Sequence, residues 1–145
     1  MNRLFNTNYN HRGLDIALLV LRVSIALLML SHGIPKMHTL FSGGAIQFPD
    51  PIGVGATASL SLVVFAEVFC SALILIGLGT RLAVIPLIIN MLVAVLVIHG
   101  QDGLEKMEAG LHYLLVYIVL LFTGSGRVSF DSLISRKAAR SRRGY

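Results

Sequence analysis

An arginine and a glutamate stand inside apolar runs, where a bilayer would reject them. Arg22 lies within residues 14–30 and Glu67 within residues 56–77. A charge at the bilayer centre costs roughly 2.5–3.5 kcal/mol on insertion scales, so opposite charges at similar depth are expected to pair. Counted as helices, Arg22 lies roughly 12 Å from one end of its run and Glu67 roughly 15 Å from the matching end. The expectation is a buried Arg22–Glu67 ion pair that fixes helix register, with Glu67 also open to a proton or ligand role. Asp15, two turns before Arg22 on the same helix face, is a second candidate partner. Asn90 stands mid-run in a third apolar stretch, where its amide bonds a neighbouring helix or binds a polar ligand.

Histidines gather toward the opposite end. His32 and His99 close two apolar runs that point the same way, and His112 opens the run that returns. Lys36 follows His32 by four residues, and Glu105, Glu108 and His112 share one helical face. Glu and His at such spacing can hold a metal or pass protons, but no strong metal motif is present. Two histidines could ligate haem, though nothing in the sequence demands it. A quinone headgroup needs an apolar slot and one or two donors, which His32, His99 or His112 with Tyr113 could supply. Histidines that only bond their neighbours at the interface are the plain alternative. Tyr113 and Tyr117, one turn apart, read as packing residues or interface anchors.

The elements that must position these groups are membrane helices. Of 145 residues, 55% are hydrophobic and 13% charged, against roughly 25% charged in a soluble domain. That balance excludes a disordered tail and an ordinary soluble enzyme. The apolar residues fall in blocks of spanning length: 14–34, 56–77, 82–99 and 105–123. Pro35 sets the expected limit of the first, leaving residues 36–55 as a loop. The fold class is therefore all-α: a single domain over 1–145, an integral membrane antiparallel four-helix bundle with a basic tail at 132–145. The lone cysteine, Cys70, can make no internal disulfide and reads as a small buried apolar residue.

The net charge of +5 is unevenly placed. Arg3, Arg12, Arg81, Arg127 and the tail cluster Arg136, Lys137, Arg140, Arg142 and Arg143 share one side. Lys36 and Lys106 hold the other, with Asp50, Asp102, Glu105 and Glu108. The positive-inside rule then puts both termini in the cytoplasm. The cluster attracts anionic lipid. Nucleic acid is not an expected partner, since no aromatic residues interleave these charges.

Several short motifs, in order, give the chain a family likeness. They are Leu21-Arg22, Ser31-His32-Gly33-Ile34-Pro35-Lys36, Phe65-Ala66-Glu67, Ile76-Gly77-Leu78-Gly79-Thr80-Arg81, and the closing stretch from Leu121 to Asp131. From about Ala17 to Leu133 the chain resembles the DoxX family of small four-helix bacterial membrane proteins. Ser125 stands where that family usually has proline. The resemblance implies a bacterial inner-membrane location and association with membrane oxidoreductase assemblies. The family takes its name from a subunit associated with a quinol- and thiosulfate-oxidising system. It supplies no catalytic residue set, so only motif positions carry over: Arg22, His32, Lys36, Glu67 and Arg81.

Three functions follow as expectations. The favoured one is a redox-associated subunit, as in an oxidoreductase, that binds quinone or an electron-transfer partner. The second is a small-molecule or proton carrier, for which a homo-oligomer could complete a path. The third is a non-catalytic structural membrane subunit. The expected ligand-binding set is His32, Lys36, Glu67, Asn90, His99, His112 and Tyr113, with no metal.

Overall fold

The computed structural model describes the backbone of residues 10–141 and the side chains of residues 10–137. Arg3, Arg142 and Arg143, and the side chain of Arg140, lie outside the described residues. Four helices are long and apolar enough to cross a membrane: α1 (His11–Phe41), α2 (Ala56–Ile76), α3 (Thr80–Ile98) and α4 (Leu104–Thr123). A fifth, α5 (Phe130–Ser141), follows them. Strands are absent among the described residues.

Their outward faces are apolar. Leu27, Leu62, Phe65, Leu82, Ile89, Leu96, Leu115 and Phe122 all lie about half exposed or more. A soluble monomer rarely shows so much contiguous apolar surface, whereas lipid tails solvate it at no penalty. The inward faces form one core through Leu18, Ile25, Met29, Cys70, Ile74, Val84, Leu87, Tyr117 and Leu120. Helix α1 packs along α2, α2 against α3, α3 along α4, and α4 more lightly back on α1. Short connections make successive helices antiparallel. Both described chain ends lie at one end of the bundle, the terminal face. The 42–55 loop and the turn after Ile98 lie at the other, the loop face.

Helix α1 runs through Pro35 to Phe41, so its expected limit at residue 34 is corrected. Proline removes one backbone donor, but membrane helices tolerate this where nearby hydroxyls and backbone adjust. In the flanking turns Ser31 Oγ donates to the Leu28 carbonyl and Thr39 Oγ1 to the Pro35 carbonyl, while the helix continues without interruption. Leu18, Arg22, Ile25, Ala26, Met29 and Gly33 are buried at spacings of three and four. Lys36 extends that stripe by one more step.

Two glycines set the register of α1 on α2. A Cβ on Gly33 would lie 2.9 Å from Glu67 Cβ and 2.8 Å from Val68 Cγ2. At Gly33 the α1 backbone therefore lies close against the glutamate's own helix turn. Gly77, with φ +73°, closes α2 in the left-handed region and lies directly against the Arg22 guanidinium. Only glycine takes that backbone without strain, and any Cβ there would strike the arginine. Arg22 is thus level with the α2–α3 turn, while Glu67 is level with Gly33. The expected Arg22–Glu67 pair is not formed: eleven residues of α1 separate the two depths, about 16 Å. Counting from the run ends sets the α2–α3 turn level with residue 14, whereas packing sets it level with Arg22.

Helices α2 and α3 each contain a π-helical stretch, Phe65–Cys70 and Ala94–Ile98. Such segments widen the turn and rotate the side chains after them, and they recur at functional sites. The stretch read as a basic tail is helical as α5 over most of its length. Its Phe130, Leu133 and Ile134 are exposed.

Candidate functional site

Lys36, Glu67 and Asn90 come from three helices and meet. Lys36 Nζ donates to both carboxylate oxygens of Glu67, at 2.6 Å to Oε1 and 2.7 Å to Oε2. Asn90 Nδ2 donates to Oε1 at 3.0 Å. The glutamate side chain is 4% exposed and that of the lysine 34%. Burying a carboxylate is costly unless a cation and further donors meet it, and both do here. Helix α1 supplies the cation because it continues past Pro35. The π-helical stretch in α2 carries the acid. Asn90 follows Pro86 by one turn on α3, so both face the same space.

That space is a cavity of about 380 Å³ beside the triad, within the range of small-molecule sites. Its walls are almost wholly apolar: Leu62, Val63, Phe65, Pro86, Ile89 and Val93 among them. Lys36, Glu67 and Asn90 supply its polar lining together with Ser59. Leu62, Phe65 and Ile89 line the cavity and are about half exposed to the outside, so it opens sideways toward lipid. Glu67 is eleven residues into α2, about 16 Å from its loop-face end. Both π-helical stretches contribute wall residues: Phe65 and Ala66 from one, Ala94 and Ile98 from the other.

The loop forms the roof. Phe48, Pro51 and Ile52 line the cavity, and Asp50 holds them in place. Its Oδ1 accepts from the Val54 amide at 3.0 Å and from Ser59 Oγ at 2.7 Å, and its Oδ2 accepts from the Gly55 amide at 2.7 Å. These bonds, the Ser59 hydroxyl foremost, hold the Asp50 carboxyl below its ordinary value. A lowered folded-state pKa stabilises the loop at every pH above the ordinary value of about 4, and the effect fades as pH falls through the lowered one. Asp50→Asn is therefore expected to speed hydrogen exchange at Val54 and Gly55 at neutral pH. The wild-type loop should match it only in strong acid. Equal exchange in both proteins at neutral pH would contradict this role. Sequence reasoning does not single out Asp50, Ser59 or Phe48 as site residues. The signal available is an aspartate shortly before a helix start.

The remaining expected site residues lie elsewhere. Neither His32, His99 and His112 nor Tyr113 lines the cavity. His32 is exposed and meets the Tyr113 ring edge-on, centroids 6.0 Å apart. His99 Nδ1 lies 2.9 Å from Asp102 Oδ2 in the loop-face turn, with Lys106 at 3.6 Å from the same oxygen. These partners, His99 first, keep the Asp102 carboxyl below its ordinary value. His112 is exposed on α4. The expected histidines are thus not part of the cavity, although His32 and Tyr113 do meet each other; the cavity's polar lining is Lys36, Glu67, Asn90 and Ser59.

Arg22 has a different task. Its Nη1 donates to the Ser125 carbonyl at 2.6 Å and its Nη2 to the Val128 carbonyl at 2.9 Å. A guanidinium fork can bind two carbonyls of one bend at once. Asp131 Oδ1 and Oδ2 accept from the Gly79 and Thr80 amides, at 2.7 and 3.2 Å, which caps α3. Asp15 Oδ1 accepts from the Arg127 amide at 3.0 Å and is not a partner of Arg22. Arg81 Nη2 donates to the Phe122 carbonyl at 3.2 Å. Together these bonds strap residues 122–131 across the terminal face.

The architecture is that of a four-span membrane protein with a lipid-facing cavity and a buried cation–carboxylate pair in its polar lining. The DoxX family model matches residues 17–100. The chain belongs to the DoxX family. It is 30% identical over 145 aligned positions to an uncharacterised membrane protein of Mycobacterium tuberculosis, covering 84% of this chain and 83% of that protein. An uncharacterised protein of Haemophilus influenzae is 28% identical over 131 positions, covering 86% and 87% of the two chains. No solved structure matches significantly.

Proposed function

We propose that this protein is a redox-associated membrane subunit whose cavity binds the head of a lipid-soluble quinone. The observation that carries the reading is the apolar, lipid-facing cavity whose polar lining includes Lys36, Glu67 and Asn90. A quinone ring is flat and apolar, with oxygens at opposite edges. Its carbonyl oxygen can accept from the Lys36 ammonium, which has three protons and shares them with two carboxylate oxygens. The corresponding quinol hydroxyl can donate to Glu67 or to the Asn90 carbonyl. One site therefore binds both forms.

The orientation belongs to the same reading. Arg81, Arg127, Arg136 and Lys137 gather at the terminal face, and Lys106 sits at the loop face. This supports an inner-membrane protein with the terminal face in the cytoplasm and the cavity nearer the outer side.

The test is equilibrium binding of a short-chain quinone to the protein in mild detergent. With the probe reduced to its quinol, Asn90→Leu or Glu67→Gln should weaken binding at least about tenfold, the effect of losing about 1.4 kcal/mol of contact. His32→Ala and His112→Ala should leave it unchanged. Absent binding, or binding lost with the histidines and kept in Asn90→Leu, would overturn the assignment.

A further inference from the structure

Four buried side-chain atoms have no hydrogen-bond partner among the described residues: Arg22 Nε, Ser71 Oγ, Thr80 Oγ1 and Tyr117 Oη. Their residues are 2% exposed or less. Each comes from a different membrane helix, in order α1, α2, α3 and α4. The bundle interior is where all four helices meet.

All four lie in the same half of the bundle. Ser71 is one turn beyond Glu67 toward the terminal face. Arg22 is level with Gly77, and Thr80 begins α3 just after that turn. Tyr117 is one turn past Tyr113, their rings stacked 6.2 Å apart, on a helix that ends at Thr123. Beyond them stand the hydroxyls of Ser125 and Ser129, which bond each other at 3.0 Å.

Buried polar atoms in a hydrocarbon environment find partners or water. Buried waters typically join two to four such groups. We propose that a file of internal waters runs from Glu67 past Ser71, Tyr117 and Thr80 to the Arg22 strap. It gives the glutamate a second, wholly internal route to solvent, at the face opposite the cavity roof. The file does not depend on what the cavity binds.

X-ray hydroxyl-radical footprinting of the full chain in lipid nanodiscs tests this without any ligand. Radicals form from water in place, so a side chain beside a bound water is modified even when bulk solvent cannot reach it. Tyr113 is the internal reference, being only partly buried where Tyr117 is fully buried. The file requires Tyr117 to be modified at least as fast as Tyr113. The double variant Ser71→Ala/Thr80→Val, which removes two of the water's anchors, should lower the Tyr117-to-Tyr113 ratio several-fold. If the double variant does not fold, Ser71→Ala alone should lower the ratio in the same direction. Modification of Tyr117 many-fold below Tyr113 would overturn the proposal. So would a ratio that the folded variant leaves unchanged.

Discussion

Lys36→Met is expected to destabilise the bundle by about 3–5 kcal/mol, the usual result of leaving one buried partner of an ion pair uncompensated. Glu67 keeps only Asn90 as a side-chain partner in that variant, and its carboxylate is only 4% exposed. Glu67→Gln should be milder. The Lys36 side chain is 34% exposed, and a lysine freed of its partner can extend toward the interface. The double variant Lys36→Met/Glu67→Gln should recover most of the loss, since the introduced glutamine and Asn90 can still bond as neutral amides. Thermal unfolding of the four proteins in one detergent measures this cycle. Simple addition of the two single losses would contradict a coupled pair.

Arg22→Leu should cost about 3 kcal/mol, because two charge-assisted bonds, a buried one to Ser125 and a part-buried one to Val128, go at once. The damage should be local. Hydrogen exchange at the Arg127 and Asp131 amides, which bond Asp15 and the Gly77 carbonyl, should accelerate at least about tenfold, an opening made easier by about 1.4 kcal/mol. The proposed quinone binding in the cavity should be unaffected. Arg22→Lys should fall between, since one ammonium cannot span both carbonyls. Exchange unchanged in Arg22→Leu would show that the strap does not need the arginine.

The contrast between these two sites explains what the sequence reveals. Four spans are legible because lipid demands long apolar stretches. The anomalous status of Arg22, Glu67 and Asn90 is legible for the same reason. Partner choice is not, because it depends on helix register. Gly33 against Glu67 and Gly77 against Arg22 fix that register, and each is visible only once two helices are brought together. Ending α1 at Pro35 also takes Lys36 out of the buried stripe. Proline is a strong breaker in water but a weak one in a membrane helix.

The histidines mislead for a related reason. Counting from the run ends sets His32, His99 and His112 at one end of the bundle, but packing puts His32 beside Gly33, level with Glu67 and about 16 Å from the loop-face end, and depth says nothing about rotation around each helix axis. The cavity depends on rotation. Two π-helical stretches turn Glu67 and the Ala94–Ile98 segment toward it, and no sequence pattern marks them. The roof depends on Asp50, a single carboxylate bonding three donors that lie four to nine residues ahead.

Photo-cross-linking offers the most direct view of where a ligand sits. A quinone carrying a ring azide, irradiated in native membranes and mapped by mass spectrometry, should label residues 48–52, 62–67 and 86–94. Unlabelled quinone should compete the adducts away. Adducts centred on residues 99–113, or labelling that competitor does not reduce, would contradict a site built on Lys36, Glu67 and Asn90.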